Sequence, residues 1–152
     1  MHRSMDTTYN LDRFVREQNA NDTYRHATDE LRRGRKTSHW MWYVFPKVAW
    51  PGDSYMSKKF AIYSLGEARA YLQHPVLGPR LRECAAIVAA STTKTAIALF
   101  DADIDVRKLH SSMTLFLRAD PAEPLFQQVL DRYFGGCPDP KTDRLLQLLE
   151  HA

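Results

Sequence analysis

The chain has 152 residues, of which 44% are hydrophobic and 26% are charged, with a formal net charge of +3. This length fits one domain and is too short for two domains with separate full cores. The composition is that of a globular protein and excludes disorder along the whole length. The mildly basic charge does not by itself indicate nucleic-acid binding, because such proteins concentrate their cations on one face.

Residues 1–10 are polar and are expected to form a flexible N-terminus, followed by a single helical domain over residues 11–150. A helical pattern begins at Leu11, with Asn10 as its expected N-cap. A second helix is predicted from Asp22 to Gly34, because a glycine after the last turn favours a left-handed C-cap. It ends in a basic run that either complements the helix dipole or contacts a phosphate. The run consists of Arg32, Arg33, Arg35 and Lys36.

The segment from Thr37 to Pro51 holds all three tryptophans of the chain. Its run from Trp40 to Phe45 fits either a short strand or a buried helical turn, since length and composition do not distinguish the two. If the run were extended, Trp40 and Trp42 would share one face and could stack a base or a sugar ring. The alternative is that both rings anchor the core. The polar residues 54–59 are expected to form a loop.

The second half of the chain is predicted to be helical, with short breaks at proline and glycine. A capping-box pattern from Ser64 to Glu67 opens a helix that should stop before Pro75. The next helix starts at Gly78 and Pro79, where proline suits the first helical position. The remaining helices are expected to begin near Asp103 or Asp105, at Pro124 and at Pro140.

These patterns predict a mainly α-helical fold, a compact irregular bundle of about seven helices with at most one short strand pair. The two cysteines, Cys84 and Cys137, lack the spacing of a disulfide framework or a zinc site, and we expect neither a metal nor a cofactor. The chain has no apolar run long enough to cross a bilayer and no signal-peptide pattern at its N-terminus. A cytoplasmic location without membrane contact is therefore expected.

Four short sequence motifs resemble those of a known protein family. They are HWMWYVFP (residues 39–46), YLQHPVLGPRL (71–81), SSMTLF (111–116) and FGG (134–136). Over about residues 11–149, the chain resembles the bacterial family known as domain of unknown function 1810, whose loose calpastatin-like label suits long disordered inhibitors better than a short globular chain. The resemblance implies a compact, mostly helical single domain and brings no catalytic residues. It also implies one departure, because Lys47 stands where the first motif is expected to continue with Gln.

A second resemblance, in the layout of the C-terminal half, is to helical proteins that act on ADP-ribose linkages, the NADAR group. It rests on a helix with basic residues and Met113, followed by Phe126 and a glycine turn. This resemblance implies a nucleotide or ADP-ribose-like ligand.

Aromatic faces with a few convergent cations fit a ligand that combines a ring with a phosphate. His39 is either a hydrogen-bonded core residue or a proton donor or phosphate ligand. Arg80 lies in the first turn of a helix, where the dipole opposes a cation, so it should pair with an acid or an anionic ligand. Ser112 lies in a hydroxyl-rich helix that either packs closely or lines a pocket. The predicted ligand-binding residues are Lys36, His39, Trp40, Trp42, Tyr43, Arg80, Ser111 and Ser112, with His39 and Ser112 as catalytic candidates.

The leading hypothesis is a small-ligand-binding protein, or an enzyme, that acts on a nucleotide or an ADP-ribose-like, phosphate-bearing compound. No GxSxG motif supports a Ser/His hydrolase, and no reaction follows from the sequence. The alternative is a non-catalytic protein–protein interaction module with exposed aromatic rings. Nucleic-acid binding is not expected, because it would require the basic run to join other cations on one face. The oligomeric state stays open.

Overall fold

The computed structural model describes residues 8–150. Its α-helices are, in chain order, α1 (Asp12–Asn19), α2 (Thr23–Arg33), α3 (Met41–Val44), α4 (Tyr55–Lys59), α5 (Leu65–Gln73), α6 (Leu77–Ala89), α7 (Ala96–Phe100), α8 (Asp103–Ala119), α9 (Pro124–Tyr133) and α10 (Pro140–Glu150). A short 3-10 helix, Ala20–Asp22, lies between α1 and α2. Seven helices in this part of the chain have eight residues or more. Strand pairing within residues 8–150 is limited to one isolated parallel bridge, between Val48 and Ile62. The predicted mainly helical fold is confirmed.

Several helix ends follow the signals in the sequence. Gly34 closes α2 with a φ of 90°, a left-handed conformation that glycine adopts without strain. The Ser64 hydroxyl accepts a hydrogen bond from the Glu67 backbone N–H at 3.0 Å and so caps α5. Asp139 precedes Pro140, and its carboxylate accepts a bond from the Lys141 backbone N–H at 3.3 Å. Local chemistry therefore sets where these helices begin and end.

Four predictions for individual elements are wrong. Helix α6 begins at Leu77, so Pro79 is its third residue and not its first. Asn10 is not the N-cap of α1, because it has a φ of 53° and the helix is entered through Leu11. The expected loop at residues 54–59 is instead α4, whose cap is the Ser54 hydroxyl, 3.3 Å from the Ser57 backbone nitrogen. Helix α8 begins after Ala102 without a side-chain cap, so neither expected aspartate caps it. Polar composition indicated a loop where one capped turn of helix forms.

The predicted flexible N-terminus falls mostly on residues 1–7, which lie outside the described residues. Tyr9 is half-buried and packs against the core. The run from Trp40 to Phe45, for which strand and helical turn were both open, contains the single turn α3. Residues two apart on a helix point to different sides, so Trp40 and Trp42 do not share a face.

The buried hydrophobic side chains form one continuous cluster, and α8 lies at its centre. This helix packs against α5, α7, α9 and α10. Its residues 111–117 are all buried, which is the pattern of a helix enclosed by neighbours. The beginning of α8 is different, since Asp103 and Ile104 are exposed there. Among residues 8–150, the helices lack the combination of length and apolar character needed to span a bilayer.

Candidate functional site

A hollow of about 290 Å³ lies between the loop that follows α2 and the first turns of α8, and we call it the Trp42 hollow. One wall is formed by the loop, which begins at Lys36, and by the start of α3. The opposite wall is formed by the end of α7 and the start of α8. The lining residues are Lys36, Thr37, Ser38, His39, Met41, Trp42, Phe100, Asp101, Ala102, Ile104, Asp105 and Lys108.

Glu30, on α2, holds the loop in place. Its side chain is buried, and one carboxylate oxygen accepts hydrogen bonds from the Thr37 and Ser38 backbone N–H groups and from the Trp40 indole N–H, at 2.7, 2.9 and 2.9 Å. Burial acts to raise the pKa of Glu30, but the hydrogen bonds from Ser38, Thr37 and Trp40 outweigh it and lower the pKa to about 2. The carboxylate is therefore ionised near neutral pH and fixes three donors at once.

Lys36 joins the loop to α8. Its ammonium group lies 3.0 Å from an Asp105 carboxylate oxygen and donates to the Ser38 carbonyl at 2.6 Å. The same group lies 5.1 Å from the centre of a Trp40 ring. Both members of the ion pair are largely buried. The charge of Lys36 is therefore already balanced within the protein.

Lys108 is the second lysine that lines the hollow. It is half-buried, and none of the carboxylates in residues 8–150 lies within ion-pair distance of it. Its ammonium group lies 5.4 Å from the centre of the Trp42 ring. Burial lowers the pKa of Lys108, while the more distant charges of Asp105 and Asp53 oppose that change.

The aromatic residues of the first motif have different environments. Trp40 is 1% exposed and packs in the core against Phe45 and Phe100. Tyr43 is 9% exposed, and its hydroxyl donates to the His39 carbonyl at 3.2 Å. Trp42 is half-buried, stacks against Tyr43 and lines the hollow. His39 is exposed at the rim.

Five of the eight predicted site residues do not line the Trp42 hollow: Trp40 and Tyr43, described above, and Arg80, Ser111 and Ser112. Arg80 donates to the Gln18 side-chain oxygen at 3.2 Å, so its hydrogen-bond partner among the described residues is an amide and not the expected acid. Ser111 and Ser112 are fully buried in α8. The Ser112 hydroxyl has no hydrogen-bond partner in the described part of the chain, so it forms no nucleophile–base pair with His39. The structure thus gathers Lys36, His39 and Trp42 at one hollow, but not all eight predicted residues.

The hydroxyl cluster of α8 serves mainly to hold α10. Ser111 is hydrogen-bonded to the Thr142 hydroxyl at 2.6 Å, and Thr142 donates to an Asp139 carboxylate oxygen at 2.7 Å. Thr114 donates to the His110 carbonyl and accepts from the Asp139 backbone N–H, both at 2.8 Å. The helix-packing explanation therefore accounts for Ser111 and Thr114.

The basic run is largely neutralised by acids from elsewhere in the chain. Arg32 pairs with Glu83 at 3.3 Å, and Arg35 pairs with Asp101 at 3.2 Å. Lys36 pairs with Asp105, as described above. These contacts leave no open stripe of four cations for a phosphate backbone. Within residues 8–150, His, Cys, Asp and Glu side chains form no group of three that could hold a metal ion.

Sequence reasoning missed Glu30 and Lys108 as site-forming residues. The role of Glu30 depends on a loop that folds back over α2, and no local spacing reveals it. Lys108 could have been identified from the sequence. Its spacing from Asp105 and Ser112 places all three residues on one face of α8. A lysine on a face that turns inward is a candidate for a buried or ligand-facing charge.

The chain belongs to the family described as protein of unknown function DUF1810, whose model matches residues 8–146. It is also similar to a crystal structure of the conserved hypothetical protein Rv1873 from Mycobacterium tuberculosis. The two are 44% identical, with a TM-score of 0.86, and the match covers 92% of this chain and 98% of that one. None of the curated proteins matches the chain. These likenesses establish the family and the helical fold, and neither description names an activity.

Proposed function

We propose that the protein binds a small, phosphate-bearing ring compound of the nucleotide class in the Trp42 hollow. The observation that carries this proposal is the pairing of Lys108 with Trp42 in one concave space. A half-buried ammonium group has lost part of its hydration, and the indole only partly replaces it. A phosphate placed near Lys108 would compensate the remainder.

Trp42 supplies the contact for the ring. Lys108 lies over its indole, and cation–π contacts at partly exposed sites are worth only about 0.5–1 kcal/mol. A planar ligand can therefore take the place of the ammonium group on the indole. The flexible lysine side chain can then turn to pair with the phosphate of that ligand.

The size of the hollow narrows the ligand class. Its volume of about 290 Å³ lies at the lower end of ligand pockets, which begin near ~300 Å³. This volume suits a single base with its sugar and phosphate. It does not suit an ADP-ribose-like compound held entirely inside. A mononucleotide is therefore the favoured class, and the cytoplasm is the proposed place of binding.

The burial of the aromatic rings supports a ligand pocket over a protein-binding patch. Trp40 and Tyr43 lie in the core, so they are not available to a partner surface. The proposal concerns binding and assigns no reaction. His39 stands exposed at the rim, while the Ser112 hydroxyl is enclosed inside the bundle.

A melting-temperature panel of the four common ribonucleoside monophosphates tests the proposal. We expect at least one of them at millimolar concentration to raise the melting temperature by about 2 °C or more, because a ligand that binds only the folded state stabilises it. Trp42→Ala should abolish the shift. Tyr55→Ala is the matched control, since Tyr55 is 77% exposed and does not line the hollow.

Circular dichroism would first show that both variants fold. If no monophosphate shifts the melting temperature of the wild-type protein, the proposal is wrong. It is equally wrong if the folded Trp42→Ala variant responds as strongly as the wild type.

A further inference from the structure

We propose that the anion site continues from Lys108 past Lys47 to Lys141, so that the ligand carries two linked anionic groups, as a nucleoside diphosphate does. This inference rests on the proposed function and extends it beyond the Trp42 hollow. It concerns a second set of side chains, centred on Trp50, that the hollow does not include.

A narrow recess of about 10 Å³ lies between Lys108 and Lys47. Lys47 and Lys108 both line it, together with Trp42. Beyond the recess, the ammonium groups of Lys47 and Lys141 lie 3.9 and 4.8 Å from the centres of Trp50 rings. Two cations therefore share one indole, next to a third cation over Trp42. We call the resulting set the lysine row, and it consists of Lys36, Lys108, Lys47 and Lys141.

The charges of the lysine row do not balance. Asp105 pairs with Lys36 at 3.0 Å, and Asp53 pairs with Lys47 at 3.0 Å. Four positive and two negative charges leave a surplus of two, which is most of the chain's formal net charge of +3. The surplus belongs to Lys108 and Lys141, which have aromatic contacts but no carboxylate partner in the described part of the chain.

Asp53 has little capacity left for another cation. One of its oxygens accepts from both Lys47 and the Trp50 backbone N–H, and the other oxygen also accepts from Lys47. Burial, the largest effect, lowers the pKa of Lys47 to about 8; Asp53 opposes this, and the charges of Lys108 and Lys141 add to it. The row is therefore mutually repulsive, and anionic groups along it would relieve the repulsion.

The shape of the site selects the anion. Lys47 is 5% exposed and the recess beside it holds only about 10 Å³, so anionic groups are placed beside Lys108 and beside the exposed Lys141, and not inside the recess. Two surplus charges beside a hollow of single-nucleotide size match one ring followed by two phosphates. A nucleic-acid backbone would instead need cations spread along an open face.

Calorimetric titration with AMP, ADP, inorganic phosphate and pyrophosphate tests the inference in low-salt, magnesium-free buffer. The wild type should bind ADP about tenfold more tightly than AMP, as one added charge-assisted contact allows. Lys141→Ala should bring the ADP-to-AMP affinity ratio close to one. Lys94→Ala is the matched control, because Lys94 is an exposed lysine that lines none of these cavities, and it should keep the tenfold ratio.

The outcomes separate the two proposals. Equal affinities for AMP and ADP would overturn the second anionic subsite and leave the proposed function standing. If Lys94→Ala lowered the ADP-to-AMP affinity ratio as much as Lys141→Ala does, the subsite would also be overturned, because the overall positive charge of the protein would then explain the preference for ADP. Binding of pyrophosphate that needs Lys141, without binding of either nucleotide, would support the subsite and refute the ring contact. No binding of any of the four compounds overturns the second anionic subsite, and it overturns the proposed function as well if the other three monophosphates leave the melting temperature unchanged.

Discussion

Two tryptophans, two residues apart, have opposite environments. Trp40 is enclosed, and its indole N–H is bonded to the Glu30 carboxylate. Trp42 is half-buried at the edge of a hollow, with the lysine ammonium of Lys108 over its ring. The short helix α3 explains the contrast, because it turns the two side chains to different sides. One indole lies in the core, and the other borders the Trp42 hollow.

The contrast shows that one short motif contributes both to the core and to the wall of the Trp42 hollow. The Trp40 side is closed by hydrogen bonds and apolar packing, so substitutions there should mainly affect stability. The Trp42 side has unbalanced cations, so substitutions there should mainly affect binding and its dependence on charge. The predictions below test this division, beginning with the largest expected effect.

Trp40→Ala should lower the free energy of unfolding by about 3–5 kcal/mol, because it opens a cavity in the core and leaves Glu30 without one donor. Trp42→Ala should cost less than half as much. Urea denaturation of both variants measures the difference. If the two variants lost similar amounts of free energy of unfolding, Trp40 and Trp42 would not differ in their structural roles.

Glu30→Gln should lower the free energy of unfolding by roughly 2–3 kcal/mol at pH 7, because an amide accepts the three bonds less strongly than a carboxylate. The pKa of Glu30 is lowered to about 2, so its contribution is present above about pH 4.5 and is lost as the pH falls toward 2. Urea titrations at pH 7 and pH 3 should therefore show the wild type and the variant converging in acid. If the difference in free energy of unfolding between the two proteins were the same at pH 7 and pH 3, the ionised Glu30 carboxylate would not be what holds the loop.

Lys47 should make stability rise with pH on the alkaline side. Its pKa in the folded protein is about 8, below its usual 10.5, so between these values the unfolded chain holds the proton more often. The free energy of unfolding should gain roughly 1–2 kcal/mol, relative to Lys47→Met, from pH 7.5 to pH 9.5. Asp53 opposes this effect, and Lys108 and Lys141 strengthen it. Parallel pH profiles for the two proteins would show that Lys47 is not destabilised by its surroundings.

Lys108→Met should change the free energy of unfolding by less than about 1 kcal/mol, because it removes a weak cation–π contact and keeps the apolar stem. The same variant should lose nucleotide binding. Urea denaturation and calorimetric titration of one protein sample measure both quantities. A large loss of stability would place Lys108 among the structural residues instead.

Several helix ends were predictable from local chemistry, although the Ser54 cap of α4 was missed. Gly34, the Ser64 capping box and the Asp139–Pro140 pair each mark an end that the structure keeps. The site was predictable only in part, because Lys36, His39 and Trp42 are close in sequence. The missing members come from α2 and α8, and only tertiary packing brings them beside the loop. Burial likewise separated Ser112 from His39, which no spacing rule could reveal.

The buried hydrogen bonds between α8 and α10 also fix the position of a surface lysine. Ser111 and Thr114 fix the first turn of α10 through Thr142 and Asp139, and Lys141 belongs to that turn. Buried hydroxyl groups therefore set the position of the Lys141 ammonium group beside Trp50. A substitution of the buried Ser111 would therefore shift positive charge at the surface beside Trp50, although Ser111 itself contacts no ligand.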